Sequence, residues 1–176
     1  RCLRALGAVI SKTGDTATVF PADGIAPTGT LLDCKESGTT LRLLIPQALL
    51  TGREVTFVGS GRLFARPLDI YENICRAQNI EWKQTENSLT VHGRLQPGNF
   101  SFPGNISSQF VSGLLFALPH LDGKSTLSLT GGVESAPYIN LTLDALKKFG
   151  FEAFAESAGK YSVCGNQHGT SAGRLN

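Results

Sequence analysis

Ser107, Ser108 and Gln109 stand directly ahead of a strongly apolar run, Phe110 to Pro119. Within that run Phe110, Val111, Leu114, Leu115 and Leu118 recur at i, i+1, i+4, i+5 and i+8, which is one face of a helix. A serine at a helix start is an expected cap. Two hydroxyls and an amide exceed what one cap needs. A helix N-terminus with spare donors seats a phosphate or a carboxylate, because its free N–H groups and dipole both favour negative charge. Similar chemistry recurs at Ser37, Gly38 and Thr39 with Arg42, at Arg66 before Pro67, and at Ser135 with Tyr138. An arginine fork matches the oxygens of phosphate and carboxylate. These types in this pattern point to a small anionic substrate. Each also has a plainer reading: Ser107 as a cap, Arg66 as a solvated cation, Arg42 as half of a structural pair, Tyr138 as a core aromatic. His92, His120 and His168 have no partner at catalytic spacing and read as structural.

The elements that must position these residues repeat with a period of about 70 residues. Ser37 to Gly93 aligns with Ser107 to Gly165. Each copy reads as an apolar helix, a turn at Thr51-Gly52 or Asp122-Gly123, and an alternating strand (Val55 and Phe57; Leu127 and Leu129). A second helix begins near Pro67 or Pro137, a favourable first-turn position. In the later copy it carries Ile139, Leu143 and Leu146 on one face and ends at Gly150. Lys147 and Lys148 near its end suit the helix dipole. Two short strands close each copy, such as Ile80 to Lys83 and Ser88 to His92. The opening, Leu3 to Phe20, matches only the back half of a copy, with Gly7 in the place of Gly150. Two and a half units are therefore expected: residues 1–30 in part, 31–95 and 96–166, with 167–176 as a crossover segment. Alternating helix and strand make the class α/β (α+β). Pro46 is expected to kink the helix from Thr39 to Leu50. Equivalent helix starts recur at Gly38, Pro67, Ser107 and Pro137, and with approximate threefold symmetry several of them are expected to converge into an anion site.

The 176 residues suffice for one domain with a full core. A net charge of +2 does not mark a nucleic-acid binder. No apolar run approaches the ~18 residues of a membrane span, and the start is too quickly polar for a signal peptide. Cys2, Cys34, Cys75 and Cys164 are too far apart for a zinc knuckle or a CxxC motif. They read as reduced thiols in a cytoplasmic protein. The chain holds no Met and opens inside a helix end, so a fragment is expected.

Four segments carry a resemblance: Glu36 to Leu44 (ESGTTLRLL), Gly61 to Asp69 (GRLFARPLD), Ser107 to Pro119 (SSQFVSGLLFALP) and Glu134 to Gly150 (ESAPYINLTLDALKKFG). Together, in this order and spacing, they resemble the 5-enolpyruvylshikimate-3-phosphate (EPSP) synthases, the 3-phosphoshikimate 1-carboxyvinyltransferases. The resemblance implies an enolpyruvyl transferase domain of repeated βαβαββ units around buried parallel helices. Of two such domains, this chain looks like most of the first. The front of its first unit, with a Lys-Ser…Arg segment, is missing, as is the second domain with its acid/base residues. The implied reaction transfers the enolpyruvyl group of phosphoenolpyruvate to the 5-hydroxyl of shikimate 3-phosphate, without metal or organic cofactor. By resemblance Ser107, Ser108, Gln109 and Ser135 bind shikimate 3-phosphate. Gly38, Arg66 and Gln109 bind phosphoenolpyruvate or its mimic glyphosate, and Thr39, Arg42 and Tyr138 are further candidates. The implied partners are these two substrates and the missing domain, with no nucleic acid and no membrane. The fragment alone is expected to be inactive. Glu36 departs from the Asn more usual in the family and is left out of the site. Rival readings are a UDP-N-acetylglucosamine enolpyruvyl transferase, disfavoured because Gly59 to Pro67 contains no Cys, and a non-catalytic anion-binding fragment. RNA 3′-phosphate cyclases share similar units but are disfavoured by the near-neutral charge.

Overall fold

A computed structural model of the chain describes residues 1–20, 29–133, 136–171 and 173. It begins with a half unit: α1 (Cys2–Ala5), then the hairpin β1 (Ile10–Thr13) and β2 (Thr16–Val19). The next unit runs β3 (Leu31–Asp33), α2 (Gly38–Leu49), β4 (Val55–Val58), α3 (Asp69–Ala77), β5 (Glu81–Gln84) and β6 (Ser88–His92). The last repeats that order: β7 (Asn99–Pro103), α4 (Ser108–Ala117), β8 (Ser125–Thr130), α5 (Ala136–Lys148), β9 (Ala153–Ser157) and β10 (Lys160–Val163). Each full unit forms one four-stranded sheet, in the orders β3-β4-β6-β5 and β7-β8-β10-β9. The first pair in each is parallel and the rest antiparallel. A parallel pair needs a crossover connection, and α2 and α4 supply the two crossovers.

Strand burial follows the alternation in the sequence. Val55 and Phe57 point into the core, as do Leu127 and Leu129. Fully burying one such side chain contributes roughly 1.5–3 kcal/mol. The apolar helices go further than one face. In α4, Phe110, Val111, Ser112, Gly113, Leu114, Leu115 and Ala117 are all buried, so the one-sided pattern expected from the sequence is a helix enclosed on nearly every side. It packs against α2 in front and α5 behind. Small residues let the helices approach. A Cβ on Gly113 would lie 2.7 Å from the carbonyl oxygen of Arg42 and 3.4 Å from the Cα of Leu43. With Thr39 opposite Gln109 and Leu43 opposite Gly113, α2 and α4 run parallel and in register. Their N-termini lie side by side.

The second helix of every unit ends in the same way. Gly7, Asn79 and Gly150 all have positive φ, at 100°, 55° and 76°. Each donates its N–H to the carbonyl three residues back, at Arg4, Arg76 and Lys147. The following residues, Ala8, Ile80 and Phe151, reach back to Leu3, Cys75 and Leu146. This is the Schellman arrangement, which satisfies the last carbonyls and turns the chain into the closing strands.

Two local expectations are corrected. α3 starts at Asp69, not at Pro67, because a 3₁₀ turn at Leu63–Ala65 carries the chain past Arg66 in extended conformation. The fifth strand also lies one residue later than read, at Glu81–Gln84. Lys147 and Lys148 do occupy the last turn of α5. Cys2, Cys34 and Cys75 are buried and Cys164 is exposed. Burial pushes the Cys34 and Cys75 thiols up to about 12. Among the described residues no helix is long and apolar enough to cross a membrane.

Candidate functional site

The adjacent N-termini of α2 and α4 are capped by matching serines with different hydrogen-bond patterns. Ser37 Oγ accepts from the Thr40 N–H at 3.1 Å and from Thr40 Oγ1 at 2.8 Å. Ser107 Oγ accepts one long bond, from the Gln109 N–H at 3.4 Å. Ser37 is thus committed to its helix. Ser107 keeps most of its hydrogen-bonding capacity, and the partly buried Ser108 hydroxyl has no protein partner among the described residues.

Side chains stitch the two ends together. Gln109 donates from Nε2 to Thr39 Oγ1 at 2.7 Å, and its Oε1 accepts from Arg42 Nη1 at 3.1 Å. Arg42 Nη2 donates to the Pro67 carbonyl at 3.1 Å. The guanidinium also lies over the Phe110 ring, 4.8 Å from its centroid, a placement that the electron-rich ring face favours. Burial, with the nearby Arg66 charge second, lowers the Arg42 pKa below the ordinary guanidinium value. An arginine still keeps its proton at neutral pH. Arg66 is exposed and pairs with no carboxylate among the described residues. Its Nη1 lies over Gly38, where a Cβ would come within 2.7 Å. The missing side chain of Gly38 makes room for the Arg66 fork.

The structure therefore brings Gly38, Thr39, Arg42, Arg66 and Gln109 into one cluster, with Ser107 and Ser108 on its α4 side. Ser135 lies outside the described residues. Tyr138 is 65% exposed on the first turn of α5, and its hydroxyl makes no hydrogen bond to a described residue. The side chain of Glu36 lies over Gly61, where its Oε1 would collide with any Cβ. A positive φ of 62° favours glycine at that position as well. The histidines stand in other roles: His92 Nδ1 is 3.4 Å from Glu81 Oε2, and His120 meets the Phe151 ring edge-on. No Asp, Glu, His or Lys side chain hydrogen-bonds to the cluster among the described residues. The cluster holds two cations, two helix ends, hydroxyls and an amide. Groups of this kind suit the holding of an oxyanion rather than proton transfer.

A separate concavity lies elsewhere. A cleft of about 960 Å³, lined by Phe64, Trp82, Gln84 and neighbours, contains none of these residues. The cluster is an open surface formed by helix ends. Chemistry, not depth, marks it. Sequence reasoning missed the Pro67 carbonyl as a partner of Arg42 and missed Tyr71 and Gly113 beneath the cluster. The available signal was a glycine inside an apolar helix, which marks close approach.

Parallel buried helices between repeated βαβαββ sheets, with anion-seeking groups at their N-termini, define the enolpyruvyl transferase fold. A structure of EPSP synthase from Acinetobacter baumannii superposes with a TM-score of 0.76 at 21% identity, over 96% of this chain and 38% of that one. The EPSP synthase (3-phosphoshikimate 1-carboxyvinyltransferase) family model matches residues 1–175, and the chain belongs to that family. A 3-phosphoshikimate 1-carboxyvinyltransferase of Clostridium novyi is 49% identical over 142 residues, 80% of this chain and 33% of that protein. One from Clostridium acetobutylicum is 42% identical over 168 residues, 92% of this chain and 39% of its own length. The chain thus spans about a third to two fifths of these relatives.

Proposed function

We propose that this chain is the substrate-binding part of a 3-phosphoshikimate 1-carboxyvinyltransferase, and that residues 1–176 form most of one domain of it. The observation that carries the reading is the Thr39–Gln109–Arg42 bridge between two parallel helix ends, with Arg66, paired with no carboxylate among the described residues, beside it. In the reaction, the 5-hydroxyl oxygen of shikimate 3-phosphate bonds to C2 of phosphoenolpyruvate. The hydroxyl proton goes to a base and a second proton is delivered to C3. The tetrahedral adduct then loses phosphate and the C3 proton, leaving an enolpyruvyl ether. Arg66, across Gly38, holds phosphoenolpyruvate. Ser107, Ser108 and Ser135 hold shikimate 3-phosphate, and Gln109 touches both ligands. Arg42, Thr39 and Tyr138 flank them. A second domain supplies the acid and base and closes over the cluster. The cytoplasm is the proposed location.

The test is phosphate release from phosphoenolpyruvate, with and without shikimate 3-phosphate, by the complete enzyme that contains this chain. Shikimate 3-phosphate-dependent release is expected, and none from the 176-residue chain alone. Turnover of UDP-N-acetylglucosamine in place of shikimate 3-phosphate would sink the assignment. Turnover by the chain alone would sink the division of roles between domains.

A further inference from the structure

Pro46 has no N–H, so the carbonyl of Arg42, four residues earlier in α2, lacks its normal helical partner. That carbonyl is not left bare. Tyr71, from α3, donates its hydroxyl proton to the Arg42 oxygen at 2.9 Å and shares it with the Phe110 oxygen of α4 at 3.1 Å. Burial raises the Tyr71 pKa well above the ordinary phenol value, so the group keeps that proton. The Tyr71 ring also meets Phe110 edge-on, with centroids 5.0 Å apart, and Phe110 is the ring beneath the Arg42 guanidinium. Gly113 completes the joint, since a Cβ there would strike the Tyr71 hydroxyl. On α2's next turn, Gln47 Nε2 donates to the Gly113 carbonyl at 3.1 Å. One phenol therefore touches the backbones of α2 and α4 one turn below the two helix ends that carry Thr39, Arg42 and Gln109.

We infer that Tyr71 is a positioning residue: its hydroxyl replaces the backbone donor that Pro46 removes, and so sets the register of α2 against α4 that places Arg42 and Gln109 for the substrates. Tyr71 reaches no substrate itself and acts through those two side chains. The inference rests on the function proposed above. The joint costs the helix one internal bond and gains a cross-link from a third element. An unsatisfied buried carbonyl is costly, so removing the phenol hydroxyl relaxes α2 away from its present register.

The test uses the complete enzyme with Tyr71→Phe, Pro46→Ala and the double variant. Tyr71→Phe removes one oxygen and keeps the ring. It is expected to raise KM for both substrates about three- to tenfold while kcat stays within about twofold. Pro46→Ala returns an N–H to the helix, which satisfies the Arg42 carbonyl from within α2. In the Tyr71→Phe background it is expected to bring KM back to within about twofold of the parent enzyme. Rescue by a substitution more than a helical turn from the cluster is not expected of a residue that merely fills the core. The inference is overturned if Tyr71→Phe lowers the melting midpoint with KM unchanged, or if the double variant is no better than Tyr71→Phe. A parent enzyme without shikimate 3-phosphate turnover would instead overturn the functional reading. In that case, nitrogen-15 NMR of the 176-residue chain decides the inference. The buried Arg42 Nε–H should shift in Tyr71→Phe and return in the double variant, and an unmoved signal would refute it.

Discussion

The unit from β3 to β6 and the unit from β7 to β10 bring a serine-capped, buried helix to the same point, yet present different chemistry there. The earlier unit offers cations, Arg42 on its buried helix and Arg66 just before α3. It leaves Gly38 without a side chain so that the Arg66 fork can approach. The later unit offers neutral donors: Ser107, Ser108 and Gln109. Its second helix starts three residues after Val133, with no arginine ahead of it. A duplicated scaffold thus places its cations on one side and its neutral donors on the other, and Gln109 joins the two sides. The capping serines show the same division, since Ser37 accepts two bonds from Thr40 while Ser107 accepts one long bond.

Substitutions in matched pairs can break that contrast. The largest effect belongs to the cations. Arg66→Ala in the complete enzyme should raise KM for phosphoenolpyruvate roughly 10- to 100-fold, the scale of a lost charge-assisted contact. Gly38→Ala should raise it about tenfold by displacing the same guanidinium. Ser108→Ala, at the matching place in the later unit, should leave that constant nearly unchanged and act on shikimate 3-phosphate instead. Equal effects of the two arms on both substrates would erase the division of labour.

The next effect is on stability. Gly113→Ala drives a methyl into the Tyr71 hydroxyl and the Arg42 carbonyl, so about 1–3 kcal/mol should be lost in urea unfolding of the 176-residue chain. An unchanged midpoint would mean that the helices can part without cost. The caps come third. Ser37→Ala should cost about 1 kcal/mol in the same measurement, and Ser107→Ala no more than about half of that. In the complete enzyme the order should invert, with Ser107→Ala the more harmful to shikimate 3-phosphate binding. The smallest effect concerns the thiols. At pH 8 an alkylating reagent should label Cys164, in the later unit, well before Cys75, whose burial keeps it protonated up to about 12. Mass spectrometry of the intact chain under native conditions reads this directly. Rapid labelling of Cys75 would contradict its burial.

Much of the scaffold was legible because repetition made each weak local signal appear twice. The serine caps, the alternating strands and the glycine helix ends were visible at matching positions. Gly7, Asn79 and Gly150 show why the match tolerates divergence, since asparagine also accepts the left-handed conformation. The site was legible in its parts. Single residue types announced Arg66 and Ser107, whereas the bond between Arg42 and Gln109 depends on how α2 lies against α4. The consequence of Pro46 was only half legible for a related reason. A proline in a helix foretells a lost bond, but nothing near it in sequence foretells that Tyr71, from another helix, takes the freed carbonyl. The start of α3 was misplaced because Pro67 suits an extended link before a helix as well as a first turn.

Among the described residues the β1–β2 hairpin has no counterpart of β4 or β8 along its edge, and its own residues are almost all exposed. A lone two-stranded ribbon is marginal in water. Deuterium should therefore enter its amides through a local opening of low free energy, while β6 and β10, each held between two partners, exchange only through cooperative unfolding. One chain then carries two protection regimes, and their boundary falls between the half unit and the whole ones.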